Sequence, residues 1–226
     1  MRINEIFLSL QGEGVYQNLP TVFVRLQGCN LLPDFCSFCD TSYAQDAQGG
    51  KELDASEVVK EVRELLPPYN WVCITGGEPL WQLENLEALV RRLKEAHYLI
   101  EIETNGSFPP PSWYTLVDSW NADVKCPGSG VCGVFDYRWL KTRICDQLKF
   151  VVGTDEDLLF AEKFLDYHGW QTNPTVLVSP VVNTDALGKP VIEMERWQKV
   201  WNFCVEKRIR WSFQQHKLVW GSKKGV

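Results

Sequence analysis

Apolar positions along the 226-residue chain switch between two periods, and the switch recurs. Residues 3–10 are an apolar-rich, strand-like run, and residues 21–26 are a second, β-branched and aromatic, in the habit of strands. The first stops at the glycine turn Gln11-Gly12-Glu13-Gly14, and the second runs straight into a loop that carries cysteines. Asp54 and Glu57 have the spacing of a capping box, after which Val58, Val59, Val62, Leu65 and Leu66 share one helical face until Pro67 and Pro68 stop the run. A strand over 71–75 passes through Gly76-Gly77-Glu78-Pro79 into a second helix, marked by Leu83, Leu86, Leu89, Val90 and Leu93 and ending near His97. Strands over 98–104, 119–125, 147–152, 175–179 and 211–214 follow, with helices around 158–165 and 194–207. Strand and helix in alternation predict parallel βα units in an α/β domain, packed as an open sheet or as a curled barrel. In either case reactive groups gather at the C-terminal ends of the strands. Residues 11–14, 25–39, 75–79, 103–105, 123–125, 179 and 214–216 all fall at that edge.

Composition narrows the partner. With a net charge of −6 and no basic run longer than Lys223-Lys224, the chain lacks the clustered cations that nucleic-acid phosphates require, so a small molecule is expected. Residues 1–6 are interrupted by polar side chains and no apolar run approaches the ~18 residues of a membrane span, which predicts neither a leader nor an anchor and a cytoplasmic location. The length suits one domain, 1–226. In reducing surroundings the eight cysteines divide by spacing. Cys73, Cys126, Cys132, Cys145 and Cys204 have no ligand spacing and read as small core or loop residues.

Cys29, Cys36 and Cys39 are different, because a Cys-x-x-Cys pair with a third cysteine upstream can turn three thiolates toward one point. Two readings stay open on spacing alone. The three belong to a zinc site completed by Cys73, Cys126 or a histidine, or they hold a cubane cluster and leave one iron open. In Gly76-Gly77-Glu78-Pro79 the glycines permit close backbone approach to a ligand and the carboxylate can accept from an ammonium or hydroxyl. Arg25 alternates with Val24 and Leu26, which aims it at the opposite face as a carboxylate clamp. Glu13 can pair with N–H donors, and Lys125 at a strand end needs an anion. Thr41 alone reads as a cap or turn residue, and His216 as a pocket wall or a satisfied surface histidine at a strand end.

The cysteine triad and the Gly-Gly-Glu-Pro turn together resemble the radical S-adenosylmethionine (SAM) superfamily. The resemblance implies a partial (β/α)6 barrel of parallel strands with short or abbreviated helices, a 4Fe-4S cluster on the three cysteines, and SAM. Six residues separate Cys29 from Cys36 where the usual pattern has three. Loop-closure entropy grows slowly with length, so the longer loop narrows the family instead of excluding it. With residues 10–14, Arg25, Cys39-Asp40-Thr41, Glu103-Thr104-Asn105-Gly106 and Gln215-His216-Lys217, the chain is similar to the 7-carboxy-7-deazaguanine synthase family of queuosine and deazapurine biosynthesis. That similarity implies a lyase contracting a carboxylated tetrahydropterin. It implies substrate contacts from Leu10, Gln11, Gly12, Glu13, Arg25, Thr75 and His216, and SAM contacts from Phe38, Asp40, Gly77, Glu78, Asp123, Val124, Lys125 and Ser179. It further implies Mg²⁺ at Thr41, substrate binding by the strand and turn in 1–20, a cluster loop over 28–50, an electron donor such as flavodoxin, and a homodimer. Asp123-Val124-Lys125 departs from the Ser-Pro-Lys common in the family. Residues 218–226 continue past the point where family members place their terminal carboxylate, so Val226 is expected outside the site. The alternatives are a glycyl-radical activase of the same superfamily and, in another class, a zinc-stabilised binding module.

Overall fold

The chain lays down its strands in nearly the order in which they pair. The computed structural model describes residues 1–31, 35–65, 70–169 and 173–226. In chain order its elements are β1 (Arg2–Leu10), β2 (Pro20–Leu26), β3 (Lys51–Glu52), α1 (Ala55–Leu65), β4 (Trp71–Gly76), α2 (Leu83–Glu95), β5 (Leu99–Thr104), β6 (Ser119–Asp123), β7 (Gln147–Val152), α3 (Asp155–His168), β8 (Thr175–Pro180), β9 (Asn183–Thr184), β10 (Pro190–Val191), α4 (Met194–Lys207), β11 (Arg210–Trp211) and α5 (Gln215–Trp220). One sheet runs β11-β8-β7-β6-β5-β4-β2-β1-β3, and β9 and β10 form a separate ribbon. From β2 to β11 all neighbours are parallel, whereas β1 is antiparallel to β2 and to β3. An open doubly wound sheet reverses its strand order at a switch point. The parallel strands here show no reversal, so the crossovers share one side and the sheet curls around its other face.

The two faces are chemically opposite. Val22, Val24, Val72, Ile74, Ile100, Ile102, Trp120, Leu148, Phe150 and Val178 pack with Val58 and Val62 of α1, Leu86, Leu89 and Leu93 of α2, Leu165 of α3 and Val200 of α4 in one buried core. Strand alternation turns the intervening residues, Arg25, Thr75, Glu101, Glu103, Asn121, Asp123, Gln147 and Lys149, to the concave side. The interior of the half-barrel is therefore polar and charged.

The capping box before α1 forms as its spacing predicts. Asp54 Oδ1 accepts from the Ser56 and Glu57 amides, and Glu57 accepts from the Asp54 amide at 2.8 Å. Its predicted stop, Leu66-Pro67-Pro68, lies outside the described residues, as do residues 32–34 of the cysteine loop. Between β5 and β6 the crossover carries the short turn Tyr114–Leu116, and between β6 and β7 the two turns Pro127–Ser129 and Tyr137–Lys141, so the helices are abbreviated as expected. The strand expected over 211–214 shrinks to Arg210–Trp211, and the chain then turns into α5. His216 consequently stands in the first turn of a helix, not at a strand end. Among the described residues no helix is long and apolar enough to cross a membrane.

Candidate functional site

A cavity of about 560 Å³ opens at the C-terminal ends of the parallel strands. The cysteine loop forms one wall, the turn after β1 another, and α5 with the residues beyond it a third. Of the residues singled out from sequence, Leu10, Gln11, Gly12, Glu13, Arg25, Cys29, Cys36, Phe38, Cys39, Asp40, Thr41, Thr75, Gly77, Asp123, Lys125 and His216 line it. Glu78, Val124 and Ser179 do not line it.

Those three departures have physical reasons. Glu78 is fully buried; its Oε1 accepts from the Leu80 amide at 2.9 Å and the Thr104 hydroxyl at 2.8 Å, and its Oε2 from the Asn105 amide at 2.6 Å. It ties the Gly-Gly-Glu-Pro turn to the end of β5, and burial pushes its pKa up to about 7 against those three donors. The glycines likewise serve the chain itself. A Cβ at Gly77 would overlap the Gly28 carbonyl and crowd that of Ala44, so the turn packs against the start of the cysteine loop. Val124 is buried with its amide bonded to the Lys149 carbonyl at 2.9 Å, and Ser179 is buried within β8.

The cysteine loop is clamped from both sides. The Gly28 amide bonds to Ala44 O, the Glu78 amide to Gly28 O, and the Ser37 amide to Ser129 O. Leu31 and Val131 pack on Cys29, with Phe35 and Cys36 alongside. Asn105 Nδ2 approaches Cys29 Sγ at 4.0 Å and donates to Asn30 Oδ1 at 2.8 Å. Burial raises the Cys29 and Cys36 thiols, so both stay protonated until a cation replaces the proton. Three sulfurs on one cavity wall, with an apolar backing and open space in front, suit a cluster that leaves one coordination position to a ligand.

The turn after β1 and the ends of β6 and β7 carry alternating charge. Lys149 Nζ lies 2.6 Å from Glu13 Oε2 and 3.3 Å from Asp123 Oδ1, and Lys125 lies 2.6 Å from Asp123 Oδ2. Burial alone would raise Glu13, but Lys149 and then His216 bring it down to about 2. Burial opposes the charge on Lys125 and Lys149 too, yet Asp123 beside both holds them above the ordinary lysine value. Arg25 gives its Nε to Glu5 at 2.8 Å, and its guanidinium lies near the rings of Phe7 and Tyr43, so a clamp on a ligand carboxylate must use its terminal nitrogens. Thr41 donates to Asp40 at 2.8 Å, while Lys217 at 3.2 Å and His216 at 3.7 Å face the other Asp40 oxygen. A hydroxyl joined to a carboxylate at a cavity wall is an all-oxygen donor set suited to Mg²⁺.

Below the cavity the Gln11 amide nitrogen is shared by Glu101 at 2.7 Å, Glu103 at 3.3 Å and the Cys73 sulfur at 3.6 Å. Gln147 donates to the other Glu101 oxygen at 2.8 Å. Burial first, and Glu103 second, push Glu101 up to about 8. Cys73 belongs to this floor and is buried, as its lack of ligand spacing suggested.

The pocket includes residues that sequence reasoning left out. Lys149 and Tyr43 line it, and so do residues 221–226, while Glu103, Gln214 and Lys217, which the sequence places at the strand-end edge or in the family motifs without a role of their own, line it as well. Val226, expected outside, is a lining residue because Gly221 adopts φ 62° and the Ser222 amide bonds to Gly188 O, which folds the tail back over the cavity. Lys149 was detectable: it alternates with Leu148 and Phe150 as Arg25 does with Val24 and Leu26.

The Radical SAM superfamily pattern matches residues 23–120. The chain is 39% identical to the 7-carboxy-7-deazaguanine synthase of Methanospirillum hungatei over 97% of its own length and 85% of that protein's. It is 36% identical to the 7-carboxy-7-deazaguanine synthase of Koribacter versatilis, with 100% of both chains covered. Among solved structures, QueE from Escherichia coli superposes with a TM-score of 0.69 at 21% identity, covering 95% of this chain and 94% of that one. A radical SAM methyltransferase from Sphaerobacter thermophilus gives 0.59 at 16% identity, covering 89% and 67%. At such identities these two likenesses speak for the fold.

Proposed function

Since this chain belongs to the 7-carboxy-7-deazaguanine synthase family within the radical SAM superfamily, we propose that its cavity holds a pterin between the turn after β1 and the charged ends of β5 to β7. The reaction is the ring contraction of 6-carboxy-5,6,7,8-tetrahydropterin to 7-carboxy-7-deazaguanine with release of ammonia, and family membership sets aside the activase and the zinc module. The one-electron and hydrogen-abstracting chemistry comes from a 4Fe-4S cluster with SAM, and Mg²⁺ adds a Lewis acid. Cys29, Cys36 and Cys39 hold the cluster, Thr41 with Asp40 beside it the Mg²⁺, and Lys125 the carboxylate end of SAM.

The protein's own work is binding, orientation and exclusion of water. Glu13, ionised and largely shielded from solvent, accepts from the amino and ring N–H donors of the pterin, and Gln11 and Thr75 address the same edge. Arg25 binds the substrate carboxylate. Phe7, Phe23, Phe35 and Phe38, with Leu10, Leu31, Val151 and Val182, contribute apolar surface to the lining. The observation that carries this reading is the meeting of the cysteine triad and the Glu13–Lys149–Asp123–Lys125 charges across one cavity.

The reading extends to a homodimer, an electron donor such as flavodoxin and a cytoplasmic setting. Half-exposed Trp201 and Trp220 support the first, and eight unpaired cysteines support a reducing setting. The test is anaerobic reconstitution followed by addition of the pterin, SAM, Mg²⁺ and a reductant. The expected result is a deazapurine product; intact cluster and bound pterin without product would overturn the assignment.

A further inference from the structure

One buried cation has no assigned task in the reaction. Lys149 stands on β7 between Leu148 and Phe150, both fully buried on the helix side, and is itself 6% exposed inside the half-barrel. Its ammonium meets two carboxylates, and each has a second partner. Glu13 accepts from Lys149 on Oε2 at 2.6 Å and from Gln214 Nε2 on Oε1 at 3.1 Å; Asp123 faces Lys149 with Oδ1 at 3.3 Å and Lys125 with Oδ2 at 2.6 Å. A continuous series of Gln214, Glu13, Lys149, Asp123 and Lys125 thus crosses the cavity from the turn after β1 to the end of β6. Burying an ammonium is costly enough that an apolar side chain would serve better if filling were all that position 149 required.

Resting on the reading of Glu13 as a substrate acceptor, we propose that Lys149 is a positioning residue for the ring contraction: it anchors the Glu13 carboxylate toward the donor-rich edge of the heterocycle. With one Glu13 oxygen held by Lys149 and the other by Gln214, the carboxylate has one orientation before substrate arrives, which lowers the ordering cost of binding. The charges facing Glu13 agree. Burial opposes its ionisation, Lys149 from β7 and His216 from α5 favour it, and Asp40 from the cysteine loop and Glu103 from β5 oppose it. Lys149 is the largest favourable influence.

The test uses the full-length, cluster-bearing enzyme with Lys149→Met, Lys149→Arg, Glu13→Gln and the Lys149→Met/Glu13→Gln pair. Losing a charged partner in a buried hydrogen bond should raise the KM for the carboxylated tetrahydropterin at least about tenfold. The KM for SAM should move less than about threefold, since Lys125 still holds Asp123. Lys149→Arg should recover most of the loss, and the double variant should be no worse than Glu13→Gln alone. Multiplying effects in the double variant, or an equal rise in the KM for SAM, would overturn the proposal. So would a lowered melting temperature and iron content with pterin KM unchanged, the mark of a purely structural lysine. Pterin binding followed by tryptophan fluorescence separates the two levels. Wild type that binds without turnover defeats the assigned reaction alone, whereas active wild type with Lys149→Met binding equally well defeats the role of Lys149. Should Lys149→Met fail to fold, Lys149→Arg and Glu13→Gln carry the same comparison.

Discussion

Glu101 offers the sharpest test of the polar interior. It is fully buried on β5, with Gln11 donating to one oxygen at 2.7 Å and Gln147 to the other at 2.8 Å. Burial, then repulsion from Glu103, raise its pKa from 4.5 to about 8 in the fold. The sign follows. A carboxyl that titrates higher when folded keeps its proton longer in the native state, so its contribution is complete below the unfolded value and is lost as pH rises through the folded one. Between those limits stability falls by about 1.4 kcal/mol per pH unit, or about 2.7 kcal/mol from pH 5.5 to 7.5. That is a large share of the ~5–15 kcal/mol that holds a domain together. Glu101→Gln cannot titrate. Its amide nitrogen faces one of the two glutamine donors, an offset of about 1–2 kcal/mol that does not vary with pH. Anaerobic urea unfolding at pH 5.5, 6.5 and 7.5, followed by tryptophan fluorescence, should show the wild type losing stability relative to the variant by about 2–3 kcal/mol across the series, with unchanged m-values. Parallel curves within ~0.5 kcal/mol would refute the argument that Glu101 is a buried, protonated acid.

Three further outcomes follow from the geometry. Glu78→Ala strands the Leu80 and Asn105 amides and the Thr104 hydroxyl in the interior, so it should cost about 3 kcal/mol or more in urea unfolding. Gly77→Ala forces a methyl into the Gly28 and Ala44 carbonyls; iron bound per chain should drop together with the melting temperature, by about 2 kcal/mol of stability. Removing residues 221–226 takes away one side of the cavity but no core residue, so pterin KM should rise about tenfold while the unfolding midpoint shifts by less than the equivalent of ~1 kcal/mol.

Much of the architecture could be read from the chain because parallel βα units announce themselves through periodicity. The helix over 194–207 and the strand over 147–152 fall where their patterns placed them. The misreadings come from features that sequence expresses ambiguously. A Gly-Gly-Glu-Pro turn has the same composition whether it approaches a ligand or its own backbone; here Gly77 lines the cavity and also packs against Gly28 O, while Glu78 ties the turn to the end of β5. Ser179 sits at the C-terminal end of β8 as expected, but the strand continues to Pro180, and Val182 to Thr184 reach the cavity instead. The tail was misplaced because a glycine reversal at 221 depends on Gly188, a residue no local pattern connects with it. Lys149 carries no motif of its own, and only its alternation with Leu148 and Phe150 inside an apolar strand marks it as facing the interior.

The cavity joins two segments that lie far apart along the chain. The Gly14 amide donates to Ser212 Oγ at 3.1 Å, the Gln215 amide to Gly12 O at 3.0 Å, and Gln17 to Phe213 O at 2.8 Å. During synthesis the segment that carries Gln11 and Glu13 therefore emerges long before its partners; at about 5–20 residues per second, roughly 10–40 s of translation separate them. Until then the nascent chain has a cysteine loop and most of a sheet but no closed chamber, and it gains the capacity to bind the heterocycle only once residues 212–217 have emerged.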